Sequence, residues 1–342
     1  MQAIRFHAHG GPDVLRMETV PDPEPGPGEV LIRVRAASVN RLDLFVRQGM
    51  PGVRIPLPRI PGADAAGEVE ALGAGVTRPK PGDRVLVNPG FACGTCEFCA
   101  GGRGSLCLTY HLLGEHGDGS YAEKVVAPAR NVHPIPPGMS FEDAAAFPLV
   151  GLTAWSMLVT KARVQPGEDV LVVGAGAGVG VMAIQIAKLC GARVFATAGS
   201  DGKLEKCRAV GADVLVNHAK GPFDREVREL TLKRGVDVVV DYVGKETWQS
   251  SLKSLVRGGR LVTCGATTGF DPVEDLRQVF YRQLTIHGST MGSAREFSDL
   301  MRCVAAGKLK SVVDSVLPLS RAAEAHRRLE AREVFGKLVL KP

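Results

Sequence analysis

Four cysteines stand close together in this chain, spaced Cys93-x2-Cys96-x2-Cys99-x7-Cys107. Thiolates suit zinc, and four of them close its tetrahedral shell, leaving no position for water or substrate. Glycines at 90, 94, 101, 102 and 104 let the backbone wind tightly around an ion. The spacing therefore predicts one structural Zn2+ held by Cys93, Cys96, Cys99 and Cys107. Unpaired thiols, two disulfides or an iron–sulfur cluster are the other arrangements these residues allow. Such a site staples a loop and does no chemistry on a substrate.

The second stretch that could do chemistry is Val173-Gly174-Ala175-Gly176-Ala177-Gly178-Val179-Gly180. It joins an apolar run, residues 169–173, to a helical pattern over 179–189. A glycine-rich turn in that context brings backbone N–H groups and a helix N-terminus to a pyrophosphate. The G-x-G-x-x-G spacing is not met, and the pattern is nearer Ala175-x-Ala177-x-x-Gly180. An ordinary tight turn is the simpler alternative. The following strand ends Phe195-Ala196-Thr197-Ala198-Gly199-Ser200 without an acid at its tip to grip a ribose 2′-hydroxyl. Ser200 and Lys203 follow, a hydroxyl and a cation, while Asp201 is expected to cap the helix from Gly202. The expectation is NADP(H) in preference to NAD(H).

These two stretches need scaffolds of different kinds. With 342 residues the chain suggests about two domains. The first third has short strand candidates (30–35, 66–72 and 83–87) between Pro/Gly turns, as in a barrel. From about residue 150, strands alternate with helices: 169–173, 179–189, 193–197, 203–210, 214–216, 224–233, 236–240 and 259–264. That order predicts a parallel, doubly wound sheet. The tail after Ser289 reads helix, strand, helix, strand, and could return to the first domain. A net charge of +6, well mixed, argues against a nucleic-acid partner. No apolar run reaches the roughly 20 residues that span a bilayer, and residues 1–11 lack a signal-peptide layout. Cys190, Cys207, Cys264 and Cys303 are scattered, so reduced, mostly buried thiols and a cytoplasmic location are expected.

Taken together, the glycine-rich N-terminal region, the four-cysteine lobe, the glycine turn and the C-terminal return resemble the medium-chain dehydrogenase/reductase superfamily. The resemblance covers essentially the whole chain. Residues 39–49, Val-Asn-Arg-Leu-Asp-Leu-Phe-Val-Arg-Gln-Gly, and 62–67, Gly-Ala-Asp-Ala-Ala-Gly, are similar to its quinone oxidoreductase branch. The cysteine lobe is similar to its zinc-containing alcohol dehydrogenases. The resemblance implies an α/β fold: a GroES-like β-barrel catalytic domain over 1–148 and 289–342, with a zinc lobe at about 90–110, and a Rossmann domain over 149–288. It also implies a homodimer or homotetramer acting on a small molecule. The positions matching the family's catalytic-zinc ligands are Asn40, Ala63 and Leu149, and Leu42 replaces the hydroxyl of its proton relay. The expectation is therefore hydride transfer to a quinone, enal, enone or related carbonyl without a catalytic metal. The alternatives are a zinc-dependent alcohol dehydrogenase and a non-catalytic dinucleotide- or nucleic-acid-binding protein.

Candidate site residues follow, each with a plainer reading. Asn40 could donate to a substrate oxygen or merely satisfy local backbone. Asp43 matches an acid beside the family's metal, as Asp64 does, but an i,i+4 ion pair with Arg47 accounts for it as well. His116 is the titratable group best suited to proton transfer, or a solvated loop histidine. Thr153 matches a family threonine near the nicotinamide, or caps a helix start. Gly265 and Gly288 could admit the nicotinamide closely or be ordinary turns.

Overall fold

The computed structural model describes residues 1–342, which divide into two compact units: Met1–Leu149 with Ser293–Pro342, and Val150–Gly292. In the second unit six strands lie in the order Val214–Asn217, Arg193–Ala198, Asp169–Val172, Val236–Val240, Leu255–Thr263, Thr285–Gly288. All five pairings are parallel. This is the doubly wound order, whose ligand crevice lies at the carboxyl ends where the order reverses, between Asp169–Val172 and Val236–Val240. Strand Asp169–Val172 is buried throughout, which is why its sequence is continuous rather than alternating. Leu171, Phe195, Val216, Val239 and Leu261 form the core on one face of this sheet.

The first unit is built on a seven-stranded sheet, ordered Val313–Pro318, Lys337–Lys341, Glu29–Ser38, Asp64–Leu72, Arg84–Val87, Val132–Pro134, with Lys124–Pro128 also paired to Glu29–Ser38. Two of these strands come from the C-terminal return. Its α-helices are Ala294–Ala305 and Ala322–Glu330. Register matters here. Ser38 lies opposite both Asp64 and Val339. Residues two apart share a face of a sheet, so Asp64, Ser38 and Lys337 are brought onto one side, with Asn40 just beyond the strand end.

Expected elements shift by a few residues. The helix expected over 203–210 spans Asp201–Ala209, and the one over 224–233 spans Phe223–Leu230. No helix is long and apolar enough to cross a membrane. Of the four scattered cysteines only Cys207 is fully buried. Cys190, Cys264 and Cys303 are partly exposed, against the expectation of mostly buried thiols.

Candidate functional site

The cysteine lobe meets the geometric demand of zinc. The four Sγ atoms lie within 4.8 Å of one another. Cys96–Cys99 and Cys93–Cys99 sulfurs are 3.5 and 3.8 Å apart. Zn–S bonds of about 2.3 Å in a tetrahedron place sulfurs about 3.8 Å apart, whereas a disulfide needs about 2.05 Å. The backbone N–H groups of Thr95 and Cys96 donate to Cys93 Sγ, and that of Cys93 donates to Cys107 Sγ. The Thr95 hydroxyl and these two N–H groups pull the Cys93 thiol down to about 5. Desolvation pushes Cys99 up to about 12, so a bound cation must drive its ionisation.

The glycine turn is shaped for an anion. Gly174 takes φ +67°, and its N–H donates to Thr197 Oγ1 while its carbonyl accepts from Tyr242 Oη. A Cβ at Gly180 would stand 2.5 Å from Tyr242 Oη and 2.6 Å from the Ala175 carbonyl, so only glycine fits there. Helix Gly178–Leu189 follows, and the residue at its N-cap, Ala177, offers no side-chain acceptor. The helix's first N–H groups are left for a ligand. Gly174, Ala175, Gly176, Ala177, Gly178, Val179 and Gly180 thus form a cradle that fits a pyrophosphate. Gly265 follows strand Leu255–Thr263, and a Cβ there would meet only ordinary contacts.

At the second strand's tip the capping expected of Asp201 belongs to Ser200, whose Oγ accepts from Lys203 N–H at 3.4 Å. Asp201 is the helix's first residue, and its carboxylate accepts from Asn217 Nδ2 and Lys220 Nζ. Sequence pattern alone did not distinguish the two, because both residue types cap helices.

The first unit holds a buried polar cluster. The fully buried Asp64 accepts on Oδ2 from Ser38 Oγ (2.9 Å), Asn40 Nδ2 (2.8 Å) and Lys337 Nζ (3.2 Å), and on Oδ1 from the Leu149 N–H (2.9 Å). Lys337 Nζ also donates to Asn40 Oδ1. One carboxylate therefore ties Asn40 and Leu149 together, next to the fully buried Ala63. Burial lowers the Lys337 pKa, while Asp64 and Asp43 pull it back up.

A second chain of bonds runs beside it. Asp43 Oδ2 accepts from the Asn40 N–H and from Tyr121 Oη. Tyr121 Oη lies 3.2 Å from His326 Nε2, and Arg47 Nη1 lies 3.1 Å from His326 Nδ1. Since arginine only donates, Nδ1 accepts and Nε2 carries the proton that bonds to Tyr121. Arg47 also reaches the Gly10 carbonyl and Glu330. The expected Asp43–Arg47 ion pair is therefore replaced by two separate sets of tertiary partners. Burial raises the Asp43 carboxyl to about 7 and lowers His326 to about 3.

His116 lies apart from this cluster, 44% exposed, with Nδ1 3.2 Å from Glu115 and 3.4 Å from the Leu112 N–H. Thr153 sits within helix Pro148–Trp155 rather than at its start, and its hydroxyl donates to Met291 Sδ. Sequence reasoning missed Lys337, Tyr121, His326, Thr197 and Tyr242. The one available signal was a lysine directly preceding the apolar run Leu338–Leu340 in the strand Lys337–Lys341.

Comparison with known proteins agrees with both units. Residues 26–137 match the alcohol dehydrogenase GroES-like domain and residues 178–306 the zinc-binding dehydrogenase domain. The chain belongs to the medium-chain dehydrogenase/reductase superfamily. An alcohol dehydrogenase of Geobacillus stearothermophilus is 36% identical, with 96% of each chain covered. A quinone oxidoreductase of Pseudomonas aeruginosa is 34% identical over 99% of each. The crystal structure of an NAD-dependent alcohol dehydrogenase superposes with a TM-score of 0.97 at 51% identity, covering both chains completely. The protein is an NAD(P)-dependent oxidoreductase with a GroES-like domain, a Rossmann domain and a zinc-binding cysteine cluster. That family membership disfavours the non-catalytic alternative.

Proposed function

We propose that the protein reduces a quinone, enal, enone or related activated carbonyl with NADPH, without a catalytic metal. The observation that carries this reading is the Asp64 cluster. The positions where the family's zinc ligands would stand offer an amide, a methyl and an isobutyl group, and the nearest cation is the Lys337 ammonium. No imidazole or thiolate is among them. An alcohol needs a Lewis acid to give up its proton easily; an electron-poor carbonyl accepts hydride without one. When bound, the dihydronicotinamide supplies the hydride, two electrons and one proton, and solvent supplies the second proton.

Asn40 serves as the donor to the developing oxyanion. One Nδ2 hydrogen is held by Asp64 at 2.8 Å, while the other has only a long 3.4 Å contact with the Ser38 carbonyl. That second hydrogen is the one a substrate oxygen can take. Asp43 and Tyr121 hold the Asn40 backbone, and Thr153 and Gly265 serve the nicotinamide. His116, half exposed and beside Glu115, remains a candidate for proton transfer at the surface.

For the cofactor, Ser200 and Lys203 are proposed to receive a 2′-phosphate, since Asp201 is engaged by Asn217 and Lys220. This departs from the NAD dependence named for the similar crystal structure. A homodimer or homotetramer is supported by Phe270, Val273, Leu276, Phe280 and Tyr281, all exposed large side chains in the segment that leads into the edge strand Thr285–Gly288. The scattered thiols form no disulfides, which fits a reducing, cytoplasmic setting.

The deciding experiment is a screen of quinones, enones and alcohols with NADPH and NADH, paired with metal analysis of dialysed protein. One zinc per chain with quinone or enone reduction is expected. Two zinc ions, or alcohol oxidation alone, would overturn the reading. Lys203→Glu should raise the Kd for NADPH about tenfold and leave that for NADH within twofold; equal effects would refute the 2′-phosphate assignment.

A further inference from the structure

Lys337 is 4% exposed, and its ammonium donates to one neutral and one anionic oxygen, Asn40 Oδ1 and Asp64 Oδ2. Burying a cation this completely is costly, and a charge-free core would often be at least as stable. The chemistry of the two partners also removes any ambiguity about the Asn40 amide. An ammonium can only donate and an ionised carboxylate can only accept, so Oδ1 must face Lys337 and Nδ2 must face Asp64. The cation thus selects one of two near-isosteric amide orientations and polarises the amide, making its N–H groups better donors.

We propose that Lys337 is a positioning residue for hydride transfer: from the C-terminal strand it locks and polarises Asn40 as the oxyanion donor. The inference deepens the proposed function, because it rests on Asn40 being that donor. Asp64 completes the lock from the strand Asp64–Leu72, two strands away, and Ser38 holds Asp64 from the strand between them. The ionisable groups facing this cluster are Asp64 and Asp43, with Tyr121 behind Asp43.

Three variants separate the possibilities. Asn40→Ala tests the donor itself, and about a 100-fold loss of kcat is expected from removing one such group. Lys337→Met should lower kcat at least 30-fold while the NADPH Kd stays within twofold, and Lys337→Arg should recover part of the loss. Lys337→Met leaves Asp64 buried without its cation, so the double variant Lys337→Met/Asp64→Asn is the control for folding. There the introduced amide can donate where the carboxylate could only accept, and Asn40 turns over to present Oδ1 to it. The double variant should regain the wild-type melting temperature yet stay at least 30-fold slow. A merely structural Lys337 predicts the reverse, a folded double variant with kcat within twofold of wild type, and that result overturns the proposal. If Asn40→Ala is itself harmless, the donor reading fails first, and Lys337 falls with it. If Asn40→Ala is slow but Lys337→Met is not, only the inference about Lys337 is lost.

Discussion

Asp43 and His326 sit on either side of the Tyr121 hydroxyl, and burial moves them in opposite directions, which makes the pH dependence of stability a sharp test of the cluster. Asp43 rises from 3.8 to about 7. A raised acid stabilises the fold below its unfolded pKa, and that stability is lost as pH climbs through the folded value. The window is pH 4 to 7, and at 1.36 kcal/mol per pH unit the loss is roughly 4 kcal/mol. His326 falls from 6.5 to about 3. A lowered base gives stability that is complete above its unfolded pKa and lost as pH falls toward 3, worth roughly 5 kcal/mol. Between pH 4.5 and 6.5 the two slopes cancel in the wild type.

Asp43→Asn removes one of them. The amide oxygen can still accept from Asn40 N–H and Tyr121 Oη, and the new amide N–H2 adds a pH-independent cost of about 1–3 kcal/mol. Measured by urea unfolding with zinc present, the stability of Asp43→Asn relative to wild type should rise by roughly 3 kcal/mol from pH 4.5 to 6.5. His326→Gln should move the other way by a similar amount. A relative stability constant to within about 0.5 kcal/mol across that range would mean that Asp43 does not carry a raised pKa in the fold, and the electrostatic account of the cluster would be wrong.

Two further outcomes test the other sites. Cys107→Ser should lower bound zinc, read by elemental analysis, from one ion per chain to well below one, and should destabilise the lobe to proteolysis between residues 93 and 107; full zinc retention would refute the four-thiolate assignment. Gly180→Ala sets a methyl 2.6 Å from the Ala175 carbonyl, so NADPH and NADH should both bind at least tenfold more weakly by fluorescence titration; unchanged affinity would detach the turn from the cofactor.

Sequence legibility followed how local each signal was. The cysteine spacing and the strand–glycine–helix turn are each read within about fifteen residues, because the ligand atoms come from one loop in each case. Strand and helix order in the Rossmann unit was equally open to reading, since a doubly buried strand such as Asp169–Val172 is apolar at every position after its first. The Asp64 cluster was not legible. Its members come from residues 38–43, 64, 149 and 337, and only the register Ser38–Asp64 and Ser38–Val339 brings them together.

Asp43 and Arg47 show why a sound local rule failed. On an exposed helix the nearest opposite charge to an aspartate is four residues along, and the pair forms by default. Helix Arg41–Gln48 buries both side chains, and a buried polar group takes whichever partner best replaces its lost water. Tyr121 and the capping N–H of Asn40 do this for Asp43, while Glu330, the Gly10 carbonyl and His326 do it for Arg47. The same logic explains Lys337: a lysine at one end of a strand that has a lysine at both ends reads as a surface residue until the strand pairs with Glu29–Ser38, which brings Asp64 within reach. Once there, its charge is held by Asp64 and its direction by Asn40, so the C-terminal return does more than complete the sheet; it supplies the cation against which the candidate donor is set.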